Sequence, residues 1–246
     1  MAYFTEEYKE EAFKFINNKM SYISTIDYIS YGGDGEDYTE EFISDRIDEA
    51  AYEMGAEWGK CGASKCVFKF DQYPDIVFKI PFEGSISSYY DDEEDEYFLD
   101  EDVSYFQYAG DENKRTWDYC ETEARNYKKA IESGVEKVFA PTEYLGMTKF
   151  DIPVYVSENI ESKNSMYSVN PSNDSIKTAK SMSESCGYWS IPDRFLALYI
   201  DSYGEEEASN LISFLKDNQI YDLHTANWKM DSNGNIRIID YSSWND

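Results

Sequence analysis

Asn233-Gly234, set between the apolar runs Trp228-Lys-Met230 and Ile236-Arg-Ile-Ile239, constrains this chain more than any other feature. Asn-Gly accepts the positive backbone dihedrals of a tight turn, so the two runs around it are expected to close into an antiparallel hairpin. Closure has a geometric consequence. Asn227 stands just before the first strand and Asp240 just after the second, so both side chains arrive at the same open end. Asp222, five residues before Asn227, adds a third oxygen-bearing side chain to that small volume. Carboxylate and amide oxygens suit a hard cation such as Mg²⁺, which takes phosphate oxygens as its remaining ligands.

Upstream, helical and strand periods follow one another. Tyr8, Phe13, Ile16 and Met20 recur at helical spacing, predicting an amphipathic helix from Glu6 to about Met20. After the break at Gly32-Gly33-Asp34-Gly35, Phe42, Ile43, Ile47, Ala50, Ala51 and Met54 mark a second helix from Thr39 to about Met54. Cys66 to Phe70 and Ile76 to Ile80 read as two strands joined by a turn at Asp71 to Asp75, the second ending at Pro81.

A long helix is predicted from about Asn113 to Ser133, stopped by Gly134, with Trp117, Cys120, Ala124, Tyr127 and Ile131 as its buried stripe. At about 100° per residue, Glu123 lies roughly 70° from the centre of that stripe and Glu121 roughly 90°, so Glu123 is the more interior acid. Val138 to Leu145 and Ile152 to Val156 read as strands around a turn at Lys149 to Asp151. The Ser- and Asn-rich region from Glu161 to about Ser190 reads only as short helices and loops. Ala208, Leu211, Ile212 and Leu215 mark a helix from about Glu205 to Lys216. No repeat of 20 to 50 residues is visible, and strands, a long helix, strands, helices and a hairpin in that order make an α+β chain.

The chain has 246 residues, 41% hydrophobic and 17% aromatic, which is enough for one large domain or two small ones with a sizeable core. Its formal charge of −28 argues against charge-driven binding to nucleic-acid phosphate or an anionic membrane. From Glu83 to Glu112 there are 12 acidic residues and no basic one, so that segment reads as a solvated insert. Tyr89, Tyr90, Tyr97, Phe98, Tyr105, Phe106 and Tyr108 within it argue that parts of it pack on something. Four cysteines without a C-x-x-C pair, one histidine, no basic apolar leader and no membrane-length apolar run make the expectation a reduced, zinc-free cytoplasmic protein.

Asp222-Leu-His224-Thr-Ala-Asn227, followed by Ile238-Ile239-Asp240-Tyr241, resembles the catalytic loop and metal-binding aspartate of the protein-kinase-like superfamily. The D-L-H-x-x-N form is nearer to aminoglycoside and choline kinases than to the H-R-D form of eukaryotic protein kinases. Val77-Phe78-Lys79-Ile80 resembles the V-A-I-K strand, and the helix bearing Glu123 resembles the family's αC helix. The resemblance runs from about Gly59 to the C-terminus and implies a two-lobed kinase-like fold. Residues 1–54 would form a helical extension on the N-lobe, 55–156 the N-lobe with its acidic insert 83–112, and 157–246 a minimal C-lobe.

The resemblance also implies roles. Lys79 would hold the α and β phosphates of ATP, fixed by an ion pair with Glu123; Asn227 and Asp240 would bind Mg²⁺; Asp222 would take the proton of the acceptor hydroxyl. Gly62 and Ser64, with Lys60 and Lys65 where the family carries its outer glycines, would cover the phosphates. His224 would organise the loop by hydrogen bonding. Only six residues follow Asp240, and Ser242 replaces the glycine expected after Asp240-Tyr241. The expectation is therefore a kinase without an activation segment, similar to the short Ser/Thr kinases of bacteriophages, acting on host proteins in the host cytoplasm and, through its own hydroxyls, on itself. Two alternatives stay open: a small-molecule kinase of the aminoglycoside type, and a kinase-fold binding module whose acidic insert mimics nucleic acid or docks a basic protein.

Overall fold

The computed structural model describes residues 3–20, 48, 50–61, 65–81, 88–91, 96–99, 119–149, 152–161, 169–186 and 191–242. The chain is α+β and divides into two compact units, one of residues 2–121 and 143–157, the other of residues 122–142 and 158–246. Among the described residues no helix is long and apolar enough to cross a membrane.

The first unit is built on a five-stranded sheet: β1 (Trp58–Cys61), β2 (Lys65–Lys69), β3 (Ile76–Pro81), β6 (Thr142–Met147) and β7 (Pro153–Glu158), in spatial order β1-β2-β3-β7-β6. β2 and β3 pair antiparallel, as their turn chemistry predicts, with Val67 opposite Lys79 and Phe68 opposite Phe78. Side chains alternate across the pleat, so one face collects Cys66, Phe68, Phe70, Ile76, Phe78, Ile80, Val154 and Val156. Against it lie Ala12 and Ile16 of helix α1 (Glu6–Lys19) and Met20 at its C-cap, together with Ala50, Ala51 and Met54 of the helical residues 50–54. The rest of the predicted second helix, back to Thr39, falls outside the described residues apart from Asp48. Thr5 caps α1, its hydroxyl accepting from the Tyr8 amide at 3.3 Å, and Glu6 and Glu7 in the first turn complement the helix dipole.

Within the acidic insert, β4 (Ser88–Asp91) and β5 (Glu96–Leu99) pair antiparallel, with Tyr89 opposite Phe98 and Asp91 opposite Glu96. The insert is thus more than a loop.

The second unit contains the helices α2 (Tyr119–Ser133, from Thr122 on), α3 (Asn173–Cys186), α4 (Asp193–Tyr203) and α5 (Glu205–Asp217), and the hairpin β8 (Trp228–Met230) and β9 (Ile236–Ile238). Gly134, with φ of 72°, ends α2 where the sequence places its stop. The core joins Phe195, Leu196 and Tyr199 of α4 to Leu211 and Leu215 of α5, and to Trp228, Ile236 and Ile238 of the hairpin. Phe195 meets the Trp228 ring edge-on at 5.4 Å between centroids.

Three expectations need correction. No strand runs from Val138: Glu136–Val138 is a 3₁₀ turn, Phe139 bridges to Ile238, and the strand begins at Thr142. Pro141 has no N–H for a ladder, and the Ala140 amide is taken by the Ile238 carbonyl at 2.8 Å. The Ser-rich region holds a full helix, α3, in which Ile176, Ala179 and Met182 form a narrow apolar stripe that the polar composition masks. Helix α4 had no assignment, because Phe195 through Ile200 are all buried and an all-round apolar segment has no period to read.

At the start of α3, Asp201 of α4 accepts from the Ser172 amide at 2.7 Å and the Ser175 hydroxyl at 2.6 Å. The Ser175 hydrogen bond, then that of the Ser172 amide, holds this carboxyl below its ordinary value of 3.8. A depressed folded-state pKa stabilises the fold above the unfolded value and ceases to do so as pH falls through the folded one. Asp201→Asn should therefore cost stability at pH 7, and the difference from wild type should shrink below about pH 4 in urea unfolding. In the sheet unit, a Cβ on Gly59 would lie 2.8 Å from the Phe68 ring and 3.0 Å from Ala51. Gly59→Ala should cost about 1–3 kcal/mol by the same measurement.

Candidate functional site

The hairpin closes with Trp228 opposite Ile238 and Met230 opposite Ile236, a register displaced by one residue from that of a two-residue Asn233-Gly234 turn, and of that pair only Gly234 has a positive φ. Asp231 receives the amides of Asn233 and Asn235 at 2.8 and 2.9 Å, and Gly234 takes φ of 85°, so the turn is held by its own side chains. Burial works to raise the Asp231 carboxyl, but these hydrogen bonds and Arg237 outweigh it and the net shift is downward.

At the opposite, open end, the Asn227 carbonyl accepts the Ile239 amide at 2.8 Å and the Asp240 amide at 3.3 Å. The Asn227 side-chain amide donates to the Asp222 carbonyl at 2.7 Å. These bonds bring the backbones of Asp222 and Asp240 to Asn227. They also orient Asn227: its nitrogen is occupied by Asp222, and among the described residues no hydrogen bond reaches its Oδ1. That oxygen and the half-buried Asp240 carboxylate, which accepts the Ser242 hydroxyl at 3.3 Å, are hard donors suited to Mg²⁺. Among the described residues no group of three or more His, Cys, Asp or Glu side chains gathers as a metal site. One carboxylate and one amide leave most of the coordination sphere to water and phosphate, which is how Mg²⁺ is ordinarily held.

His224 Nδ1 accepts the Ala226 amide at 3.2 Å, which leaves the proton of the neutral ring on Nε2, 3.7 Å from Asp222 Oδ1. Asp222 is itself half-exposed and accessible to a second molecule.

Glu123 is fully buried and Glu121 exposed, as the helical geometry predicts. The buried face is turned from the expected stripe, however: Thr122, Glu123, Asn126, Tyr127 and Ala130 are buried, while Ala124 and Ile131 are only partly so. Trp117 lies outside the described residues. Within its unit Glu123 acts on Tyr241, whose phenol is raised well above its ordinary value by burial first and by Glu123 second.

Lys79 belongs to the sheet unit, on the face opposite the aromatic core and beside Val67, with 4% of its surface exposed. Lys65, two residues from Val67 on the same face, is 5% exposed. Lys60 is exposed, its ammonium 5.8 Å from the Trp58 ring centroid. Gly62 and Ser64 lie outside the described residues.

Two residues escaped the sequence reading. Asn126 donates to the Tyr241 carbonyl at 3.0 Å, and Tyr241 donates its hydroxyl to the Ala140 carbonyl at 2.6 Å. The spacing of Asn126 from Glu123, three residues along one helix, is the signal that could have found it.

No protein-family model matches the chain, and comparison with curated proteins and with solved structures finds no match either. The chemistry open to the site therefore rests on the geometry above. Asn227→Asp keeps the outward oxygen but loses the donor to Asp222, and should lower stability by about 1 kcal/mol in urea unfolding.

Proposed function

We propose that this protein is an ATP- and Mg²⁺-dependent phosphotransferase with a two-lobed, protein-kinase-like fold, acting on hydroxyl groups of proteins. One observation carries the reading: the Asn227 carbonyl takes both the Ile239 and Asp240 amides while its side chain is tied to Asp222. A single backbone network thus presents an acid, an amide oxygen and a second acid in the order and spacing that a phosphoryl-transfer site needs.

Asp222 is the base. Its half-exposed carboxylate, with His224 Nε2 3.7 Å away, accepts the proton of the incoming hydroxyl. As that proton leaves, the acceptor oxygen bonds to the γ-phosphorus, the bond from phosphorus to the β–γ bridging oxygen breaks, and ADP departs with the electron pair. Asn227 Oδ1 and the Asp240 carboxylate are the protein ligands for the cation. When bound, Mg²⁺ supplies charge neutralisation across the phosphate oxygens, which an acidic chain of net charge −28 particularly needs. Lys79 is the cation assigned to the α and β phosphates. Its near-complete burial sets it apart from a lysine solvated on a sheet edge.

The test is transfer of label from γ-labelled ATP, with Mg²⁺, to a panel of purified acceptor proteins and to the chain itself. Wild type should label at least one acceptor. Asp222→Ala, Asp240→Ala and Lys79→Ala should each reduce the rate at least about 100-fold with thermal unfolding little changed. Equal labelling by all four proteins would overturn the proposal.

A further inference from the structure

We infer that Asn126 is a positioning residue for Asp240, acting through the backbone of Tyr241; the inference rests on the metal-binding role proposed for Asp240. The segment after Ile238 belongs to no strand, so nothing in regular secondary structure fixes the direction in which Asp240 leaves the hairpin. Two sets of bonds do so. On one side, the Asn227 carbonyl holds the Ile239 and Asp240 amides. On the other, Asn126, with 2% of its surface exposed, gives its amide to the Tyr241 carbonyl at 3.0 Å. Asp240 lies between these attachments.

The second attachment is itself anchored. The Tyr241 ring is buried and meets the Phe139 ring at 5.0 Å, and its hydroxyl donates to the Ala140 carbonyl at 2.6 Å. Phe139 and Ala140 are fastened to β9 in turn, through the Phe139–Ile238 bridge, the Ala140 amide on the Ile238 carbonyl, and Arg237, which donates to the Phe139 carbonyl at 2.9 Å and pairs with Glu158. Asn126 is the one member of this set carried by α2, so the seat of that helix and the aim of the Asp240 carboxylate are linked.

A buried amide opposite a carbonyl is also stabilising in its own right, so the test must read the metal rather than the fold. Mn²⁺, in place of Mg²⁺ and in the presence of ADP, reports site occupancy by electron paramagnetic resonance without any turnover. Asn126→Leu retains volume but loses the donor, and should weaken Mn²⁺ binding about 10-fold or more, the usual effect of losing an outer hydrogen bond to a metal ligand. Asp240→Ala should abolish it, and Asn210→Leu, on the polar face of α5, should leave it unchanged. Should Asn126→Leu fail to fold, Tyr241→Phe removes only the hydroxyl and is read in the same way, with weakened binding again expected. Mn²⁺ binding at wild-type strength in the folded Asn126 or Tyr241 variant, while Asp240→Ala loses it, would overturn this inference alone. Equal binding by wild type and Asp240→Ala would overturn the metal-site reading and this inference with it.

Discussion

The paired acceptance of the Ile239 and Asp240 amides by the Asn227 carbonyl is the constraint on which the rest of the second unit depends. A two-stranded ribbon this short has little stability alone, and its open end would fray without a bond beyond the last strand pair. Here that end is closed by the residue that also faces the candidate cation position. Register and chemistry are therefore one property: a slip of one residue would move Trp228 and Ile238 out of the core and Asn227 away from Asp240 together.

Helix α2 meets a different demand. Burying Glu123 and Asn126 removes a carboxyl and an amide from water, a cost of several kcal/mol unless each finds partners. Asn126 finds the Tyr241 carbonyl. Asn126 is thus matched to one residue beyond β9, and an apolar side chain would pack there without selecting that placement. In the sheet unit the division is by face: aromatic and aliphatic side chains meet α1 on one side, and on the other the buried Lys65 and Lys79 stand beside Val67. A buried lysine requires compensation, and two on one face of so acidic a chain mark that face as electrostatically distinct.

Periodicity made α1, the β2–β3 pair, α5 and the final hairpin legible, because each has an apolar pattern at one clear period and a chemically marked end. It failed at α3, where serines surround a narrow apolar stripe, and at α4, where burial on every side erases the pattern. It also misjudged the start of β6, since a run of apolar residues cannot reveal that Ala140 will spend its amide on Ile238. The acidic insert shows the limit of composition: charge counts cannot see a register such as Tyr89 opposite Phe98.

For the site the division is sharper. The sequence by itself determined that Asn227 and Asp240 share one end of a hairpin, because two apolar runs joined by a Gly-containing loop bring together the residues that flank them, whereas the register was displaced by one residue from that of a two-residue Asn-Gly turn. It determined that Glu123 faces inward, because 100° per residue is a property of any helix. Only the tertiary structure decided that Asn126 donates to the Tyr241 carbonyl, and that Tyr241 hangs from the Ala140 carbonyl. Those contacts join residues more than 100 positions apart, and their partners are backbone carbonyls, which every residue carries and no sequence pattern can single out.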